Sequence, residues 1–142
     1  MKRILVGLDS SPRAATVLAA ALQLSTATGA KLVVYRAIGV PPDVPKELLT
    51  ITDATLESVL EQRAREDLAR LLANVPPERI ARIATAFATP WDGICRAATE
   101  YDADLIVIGS HGYGGLDRLL GTNAAKVVNR ADRNVLVVRT PL

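Results

Sequence analysis

The sequence predicts an α/β protein: a single domain, residues 1–142, built on an open parallel five-stranded sheet with helices on both faces. Three observations carry this expectation. Five short runs rich in Val, Ile and Leu alternate with helix-like segments. Capping residues stand where those segments should begin and end. A glycine-rich stretch joins the end of one apolar run to the start of a helix, which is where α/β sheets expose backbone N–H groups to ligands.

The strand-like runs are Arg3–Leu8, Lys31–Ile38, Arg82–Phe87, Leu105–Ile108 and Val135–Val138. The run Leu105–Ile108 reads as a buried parallel strand. The first helix should start with Ser11 as N-cap and Pro12 in the first helical position, and end at Gly29. The second, about Asp53 to Asn74, places Leu56, Leu60, Ala64, Leu68, Leu71 and Leu72 on one face, with Glu61, Arg65, Glu66 and Arg70 opposite. Val75-Pro76-Pro77 ends it. The third starts at Thr89-Pro90, cap then proline. The fourth starts near Gly121-Thr122. The one long irregular stretch, Gly39 to about Thr52 with Pro41, Pro42 and Pro45, has the length of a functional or mobile loop.

Composition narrows the function. The chain has 142 residues, enough for one sizeable core, and 49% of them are hydrophobic but only 4% aromatic. The net charge is +2, with basic and acidic residues interspersed along the helices. No basic run is interleaved with aromatics, so a nucleic-acid face is not expected. The single cysteine, Cys95, cannot form an intrachain disulfide and is expected to be a small core filler. No apolar stretch approaches membrane-spanning length, and Met1-Lys2-Arg3 runs directly into a strand-like segment with no room for a signal h-region. A cytoplasmic protein without membrane contact is the expectation.

The glycine-rich stretch is Gly109-Ser110-His111-Gly112-Tyr113-Gly114-Gly115-Leu116-Asp117-Arg118-Leu119-Leu120-Gly121-Thr122. Strand before, helix after and small residues between make a cradle for an anion, with the helix dipole adding attraction. A phosphate-bearing ligand follows. The spacing excludes a Walker A loop, since no lysine follows Gly121. It excludes a dinucleotide fingerprint too, because Asp117 stands where glycine or alanine is required and Gly7-Leu8-Asp9-Ser10-Ser11-Pro12 follows the first strand. The remaining pattern is Gly-x-x-Gly, then Gly-Thr at a helix start.

On these residues the chain resembles the universal stress protein family. The resemblance runs along nearly the whole chain, through Ile4-Leu5-Val6-Gly7-Leu8-Asp9-Ser10-Ser11, Ala103-Asp104-Leu105-Ile106-Val107-Ile108-Gly109-Ser110-His111-Gly112 and Val135-Leu136-Val137-Val138. ATP-binding members carry Gly-x-x-Gly, nine residues, then Gly-Ser/Thr. Here eight residues, Tyr113 to Leu120, separate Gly112 from Gly121-Thr122, so the loop is one residue shorter. The family often has Asp-Gly-Ser after the first strand, where this chain has Asp9-Ser10-Ser11.

The resemblance implies a Rossmann-like, HUP-type fold with strand order 3-2-1-4-5. Ligands in such sheets bind at the carboxyl ends beside the switch point between strands 1 and 4. Asp9, Ser10 and the Gly109–Gly112 loop converge there. The resemblance further implies an ATP site, with Asp9 near the nucleotide or on a Mg²⁺ ion shared with its phosphates, and Ala37 contacting adenine through its backbone. Gly109, Gly112, Gly121 and Thr122 would cradle phosphate and ribose, with Ile108 also in the nucleotide site, and Asn123 could donate a side-chain N–H to phosphate. For the glycines and Thr122 the alternative is turn chemistry, with positive φ and an ordinary N-cap. For Asp9 it is an Asx-turn. His111, the only histidine, is expected to shape the loop rather than catalyse. Arg118 and Arg13 are candidates to reach a phosphate from the lip.

The expected function is thus that of an ATP-binding stress-response sensor or adaptor with an unknown protein partner. Hydrolysis is expected to be slow at most, since no base, arginine clamp or second acid stands out. The last strand, Val135–Val138, would lie at a sheet edge and pair across a two-fold axis in a homodimer, as the family does. The alternative is a member that binds no nucleotide and works as a dimeric interaction module. ATP pyrophosphatases, receiver domains and flavodoxins fit poorly. Asp9-Ser10-Ser11-Pro12 matches none of their loops, and Arg139-Thr140 follows the last strand where a receiver needs lysine.

Overall fold

Each strand of the sheet runs parallel to its neighbours, in the order β3-β2-β1-β4-β5. The computed structural model describes residues 1–39, 46–110 and 120–139, with residues 46–55 described as helical backbone alone. The strands are β1 (Arg3–Gly7), β2 (Lys31–Ile38), β3 (Ile80–Phe87), β4 (Leu105–Gly109) and β5 (Asn134–Val138). The helices are α1 (Ala14–Thr28), α2 (Lys46–Leu71), α3 (Pro90–Glu100) and α4 (Thr122–Arg130), with a single 3-10 turn at Pro77–Arg79.

The alternation of side chains along a strand divides the apolar runs between two cores. Ile4, Val6, Leu32, Val34, Leu105 and Val107 face α1 and α2, meeting Val17, Leu18, Ala21, Leu68 and Leu72. Leu5, Val33, Tyr35, Ile106 and Ile108 face α3 and α4, meeting Ile94, Ala97, Ala98, Ala124 and Val127. The middle positions of β1 and β4 are therefore apolar on both faces. On the edge strands the covering thins, and Ile83, Phe87 and Leu136 keep 43%, 38% and 38% of their surface exposed.

Several expected boundaries shift for local reasons. Helix α1 begins at Ala14, not at Pro12: Ser11–Arg13 form a turn in which the Ser11 hydroxyl accepts the Arg13 N–H and the Ser11 carbonyl accepts that of Ala14. Ser11 thus caps a turn that leads into the helix. Gly29 ends α1 as expected, at φ +78°, with its N–H on the Ser25 carbonyl. Helix α2 starts at Lys46, inside the stretch expected to be irregular, and ends at Leu71, ahead of the expected Asn74. Pro41, Pro42 and Pro45 lie outside the described residues. Thr89 and Pro90 open α3 as expected. Cys95 is half-buried rather than a full core residue. Burial, then the charges of Asp92 and Asp132, push its thiol pKa up, so it stays protonated at neutral pH.

Polar clamps close the amino-terminal end of the sheet. Asp104 accepts the backbone N–H groups of Lys2 and Arg3 at 2.6 and 2.9 Å. The Arg133 guanidinium donates to the carbonyls of Ala98 and Ala103 behind α3, and Arg79 donates to Ser25 at the end of α1. At the carboxyl end a cleft opens between the loops that follow β1 and β4.

Tyr35 and Gly93 set the spacing of α3 over β2. The Tyr35 hydroxyl is buried against Gly93, and among the described side chains it is the buried polar group without a hydrogen-bond partner. A Cβ on Gly93 would overlap that hydroxyl and touch Ala88 at 3.0 Å. Gly93→Ala is expected to destabilise the protein by about 1–3 kcal/mol through overpacking. Tyr35→Phe is expected to be neutral or to stabilise by about 1 kcal/mol, since it removes an unsatisfied hydroxyl, and to recover part of the Gly93→Ala loss. Urea unfolding of the two single variants and the double variant measures all three.

Candidate functional site

A parallel sheet places every strand's carboxyl end, and the amino terminus of each following helix, at one edge of the molecule. The order 3-2-1-4-5 makes the connections leave β1 and β4 in opposite directions, so a crevice opens between the loops that follow them. The cleft found there has a volume of about 360 Å³, the size of a small-molecule site. Gly7 and Gly109 end β1 and β4 beneath it. A Cβ on Gly7 would press Ile94 at 3.1 Å and one on Gly109 would press Val17 at 3.1 Å. A side chain at either position would require its neighbour to give by a few tenths of an ångström. Neither Gly109 nor Gly121 takes a positive φ, and Gly121 stands at φ −61°. Positive φ is therefore not what glycine supplies at these two positions, and Gly121 serves as the N-cap of α4.

Asp9, Ser10, Ala37, Ile108, Gly109, Thr122 and Asn123, singled out by sequence, all line this cleft, as does Arg13. Gly121 stands behind its wall as the N-cap of α4, which leaves Thr122 as the first helical residue rather than the cap. His111, Gly112 and Arg118 lie outside the described residues. The base of their loop is pinned: Gly121 donates its N–H to the Ser110 carbonyl at 2.9 Å, and Ser110, buried, donates to Val138 at 3.0 Å.

The electrostatics favour an anion. Thr122, Asn123 and Ala124 form the first turn of α4, whose amides have no intrahelical acceptors, and all three line the cleft. Helices α1 and α3 also begin at its wall, at Ala14 and Pro90. The Asn123 carboxamide is already oriented. Its Oδ1 accepts the Trp91 backbone N–H at 3.2 Å, so α4 caps α3 and the Nδ2 donors of Asn123 remain for a ligand. The Trp91 ring packs under Lys126 and Arg130, 5.4 and 4.8 Å from its centroid.

Asp9 makes the Asx-turn that was its alternative reading: Oδ1 accepts the Ser11 N–H at 2.9 Å. The second oxygen is not used in that turn. It is the one carboxylate among the described residues lining the cleft. Those residues contain no group of three or more His, Cys, Asp or Glu placed for a metal. This donor set fits an ion held mainly by ligand phosphates and water, as Mg²⁺ commonly is, and not a resident metal centre.

Ala37 is placed by the sheet hydrogen bonding. Tyr35 accepts the Leu8 N–H at 2.9 Å, so its peptide groups face β1. In a parallel ladder the residue two positions on faces the same way. Ala37 therefore turns its N–H and C=O toward the space beyond the end of β1.

Sequence reasoning passed over Arg36. It is 6% exposed, inside an otherwise apolar strand. Its Nε donates to the Leu8 carbonyl at 2.9 Å, its Nη2 to the Asp9 carbonyl at 2.6 Å and its Nη1 to the Asp67 carboxylate on α2. The available signal was a lone charge in a buried strand, which demands partners. Tyr35, another wall residue, was also missed.

Comparison with known proteins gives the lineage. The universal stress protein family model matches residues 1–139. The chain belongs to the universal stress protein family. It is 32% identical over 140 residues to universal stress protein A homolog 1 of Coxiella burnetii, covering 96% of this chain and 95% of the relative. Among solved structures it is similar to a universal stress protein in complex with cAMP, at 28% identity and a TM-score of 0.67 over 99% of this chain and 98% of the other. It shares its fold with the universal stress protein of Archaeoglobus fulgidus in complex with dAMP, at 23% identity and a TM-score of 0.68 over 96% and 97% of the two chains. Some members of the family with this fold thus carry adenine nucleotides. No described helix is long and apolar enough to cross a membrane.

The Arg36–Asp67 pair gives a pH signature. The hydrogen bond from Arg36, then the nearby charges of Arg36 and Arg70, hold the Asp67 carboxyl below its ordinary 3.8. A carboxylate whose pKa is lowered by folding stabilises the fold above the unfolded value, and that contribution is lost as pH falls through the folded value. Asp67→Asn should therefore lower stability at neutral pH and flatten the acid limb of the stability profile below about pH 4. Denaturant midpoints measured from pH 7 to pH 2 check this. For Asn123→Ala, which orphans the Trp91 N–H, a loss of about 1 kcal/mol is expected. Trp91 fluorescence reads it, as the chain has one tryptophan.

Proposed function

We propose that this chain is an ATP-binding universal stress protein that acts as a nucleotide-dependent sensor or adaptor in a stress response. The observation that carries the reading is the convergence of Asp9, Ala37, Gly109 and the first turn of α4 on one cleft. Ala37 and Ile108 would take the base, through the Ala37 peptide groups and the Ile108 side chain. The Thr122–Ala124 amides and the Asn123 carboxamide would take phosphate. Asp9 would bind the ribose or share a Mg²⁺ ion with the phosphates, and the ion would supply charge neutralisation there. Gly112, His111 and Arg118 complete the reading on the strength of the family pattern. Relatives bound to cAMP and dAMP support an adenine nucleotide in general. The Gly-x-x-Gly and Gly-Thr pattern supports ATP in particular.

Hydrolysis on this reading is slow at most, since Asp9 is the one carboxylate among the described wall residues. Occupancy would instead shift the population of loop conformations seen by a protein partner in the cytoplasm. A second copy would pair along β5, an edge strand whose Leu136 is 38% exposed.

Calorimetric titration of nucleotide-free protein with ATP and Mg²⁺ should show micromolar binding, about −8 kcal/mol. Gly121→Val should abolish it. Asn123→Asp keeps an acceptor for Trp91 but sets a negative charge on the phosphate site, and should weaken ATP at least about tenfold with stability retained. No heat from the wild type, with no nucleotide released on denaturing the purified protein, would overturn the ATP reading.

A further inference from the structure

We propose that Arg36 is a positioning residue for the nucleotide site, and that Asp67, outside the cleft wall, sets the affinity of the site through it. The proposal rests on the nucleotide reading given above. It starts from the end of β1. After Leu8 donates its N–H to Tyr35, the chain leaves the sheet, and the carbonyls of Leu8 and Asp9 pass beyond the β2 ladder. The Arg36 guanidinium takes both, at 2.9 and 2.6 Å. Its remaining terminal nitrogen binds Asp67. A guanidinium is planar and rigid, so its three acceptors are fixed relative to one another.

A buried cation is a costly way to hold a loop. Apolar side chains of similar volume commonly give equal or greater stability. What the fork supplies and an apolar residue cannot is direction. It aims the Asp9 backbone, and so the Asx-turn from Asp9 to Ser11, at the cleft wall. Asp67 anchors the fork from α2, with Arg70 on its other oxygen at 3.5 Å. Asp67 lines no part of the cleft, and its hydrogen-bonded route to it runs through Arg36 and the Asp9 carbonyl.

The test titrates ATP and Mg²⁺ into the wild type, Asp67→Asn, Asp67→Glu, Asp9→Asn and the double variant Asp9→Asn/Asp67→Asn, with thermal unfolding to confirm a folded state. Asp67→Asn should weaken ATP about tenfold, within the usual range of coupling between sites. Asp67→Glu should restore most of that. In the Asp9→Asn background the Asp67→Asn cost should shrink to less than about twofold, because both changes act on one loop. Exchange of the Ser11 amide, measured without nucleotide, should quicken in Asp67→Asn. Unchanged affinity in Asp67→Asn, a full tenfold loss persisting beside Asp9→Asn, or unchanged Ser11 exchange each overturns the proposal. A wild type that binds no ATP overturns the nucleotide reading itself, while the Ser11 exchange still reports whether the fork positions the loop.

Discussion

Two central strands covered on both faces are the constraint on which this molecule depends. Residues 4–6 of β1 and residues 106 and 107 of β4 are fully buried. An all-parallel sheet can bury both faces only if helices cross over between its strands on both sides, here α1 and α2 on one face and α3 and α4 on the other. That requirement brings the carboxyl ends of the strands and the amino ends of α1, α3 and α4 to one edge. The cleft is a consequence of the topology, not an addition to it. What is local to this chain is how the cleft is furnished: glycines where β1 and β4 end, an amide-rich helix turn, and the Asp9 carboxylate.

The two ends of the sheet are built differently. At the amino end, Asp104, Arg133 and Arg79 bind backbone groups and tie strands to helices. At the carboxyl end, backbone groups point into the cleft, and Arg36 is the charged side chain that restrains the loop after β1. The amino end is closed by side-chain clamps on backbone groups, and the open end keeps backbone donors that a ligand can use. Asn123 belongs to both roles, since one end of its carboxamide holds α3 and the other faces the cleft.

The central strands and the place of the cleft were legible because burial on both faces leaves a short apolar run, and because the strand order opens a crevice at the carboxyl ends of β1 and β4. Edge elements were less so. Strand β3 begins at Ile80, ahead of the expected Arg82, because its exposed face carries no alternation strong enough to mark the start. Helix α2 begins at Lys46 because prolines upstream hid a helical stretch with little amphipathic contrast. Arg36 escaped notice because its acidic partner is 31 residues away, on a helix face otherwise read as solvated. The fit between Tyr35 and Gly93 was invisible for the same reason. It depends on two elements meeting, and neither residue signals it alone.

The central claim is that a nucleotide occupies the cleft at the carboxyl ends of β1 and β4. The most direct measurement is amide nuclear magnetic resonance during titration with ATP and Mg²⁺. The account predicts shifts concentrated on Asp9 to Ser11, Ala37, Gly109 and Thr122 to Ala124, with the clamp residues Asp104 and Arg133 unchanged. Saturable binding whose shifts fall elsewhere, or no shifts at those amides at millimolar ATP, would contradict it.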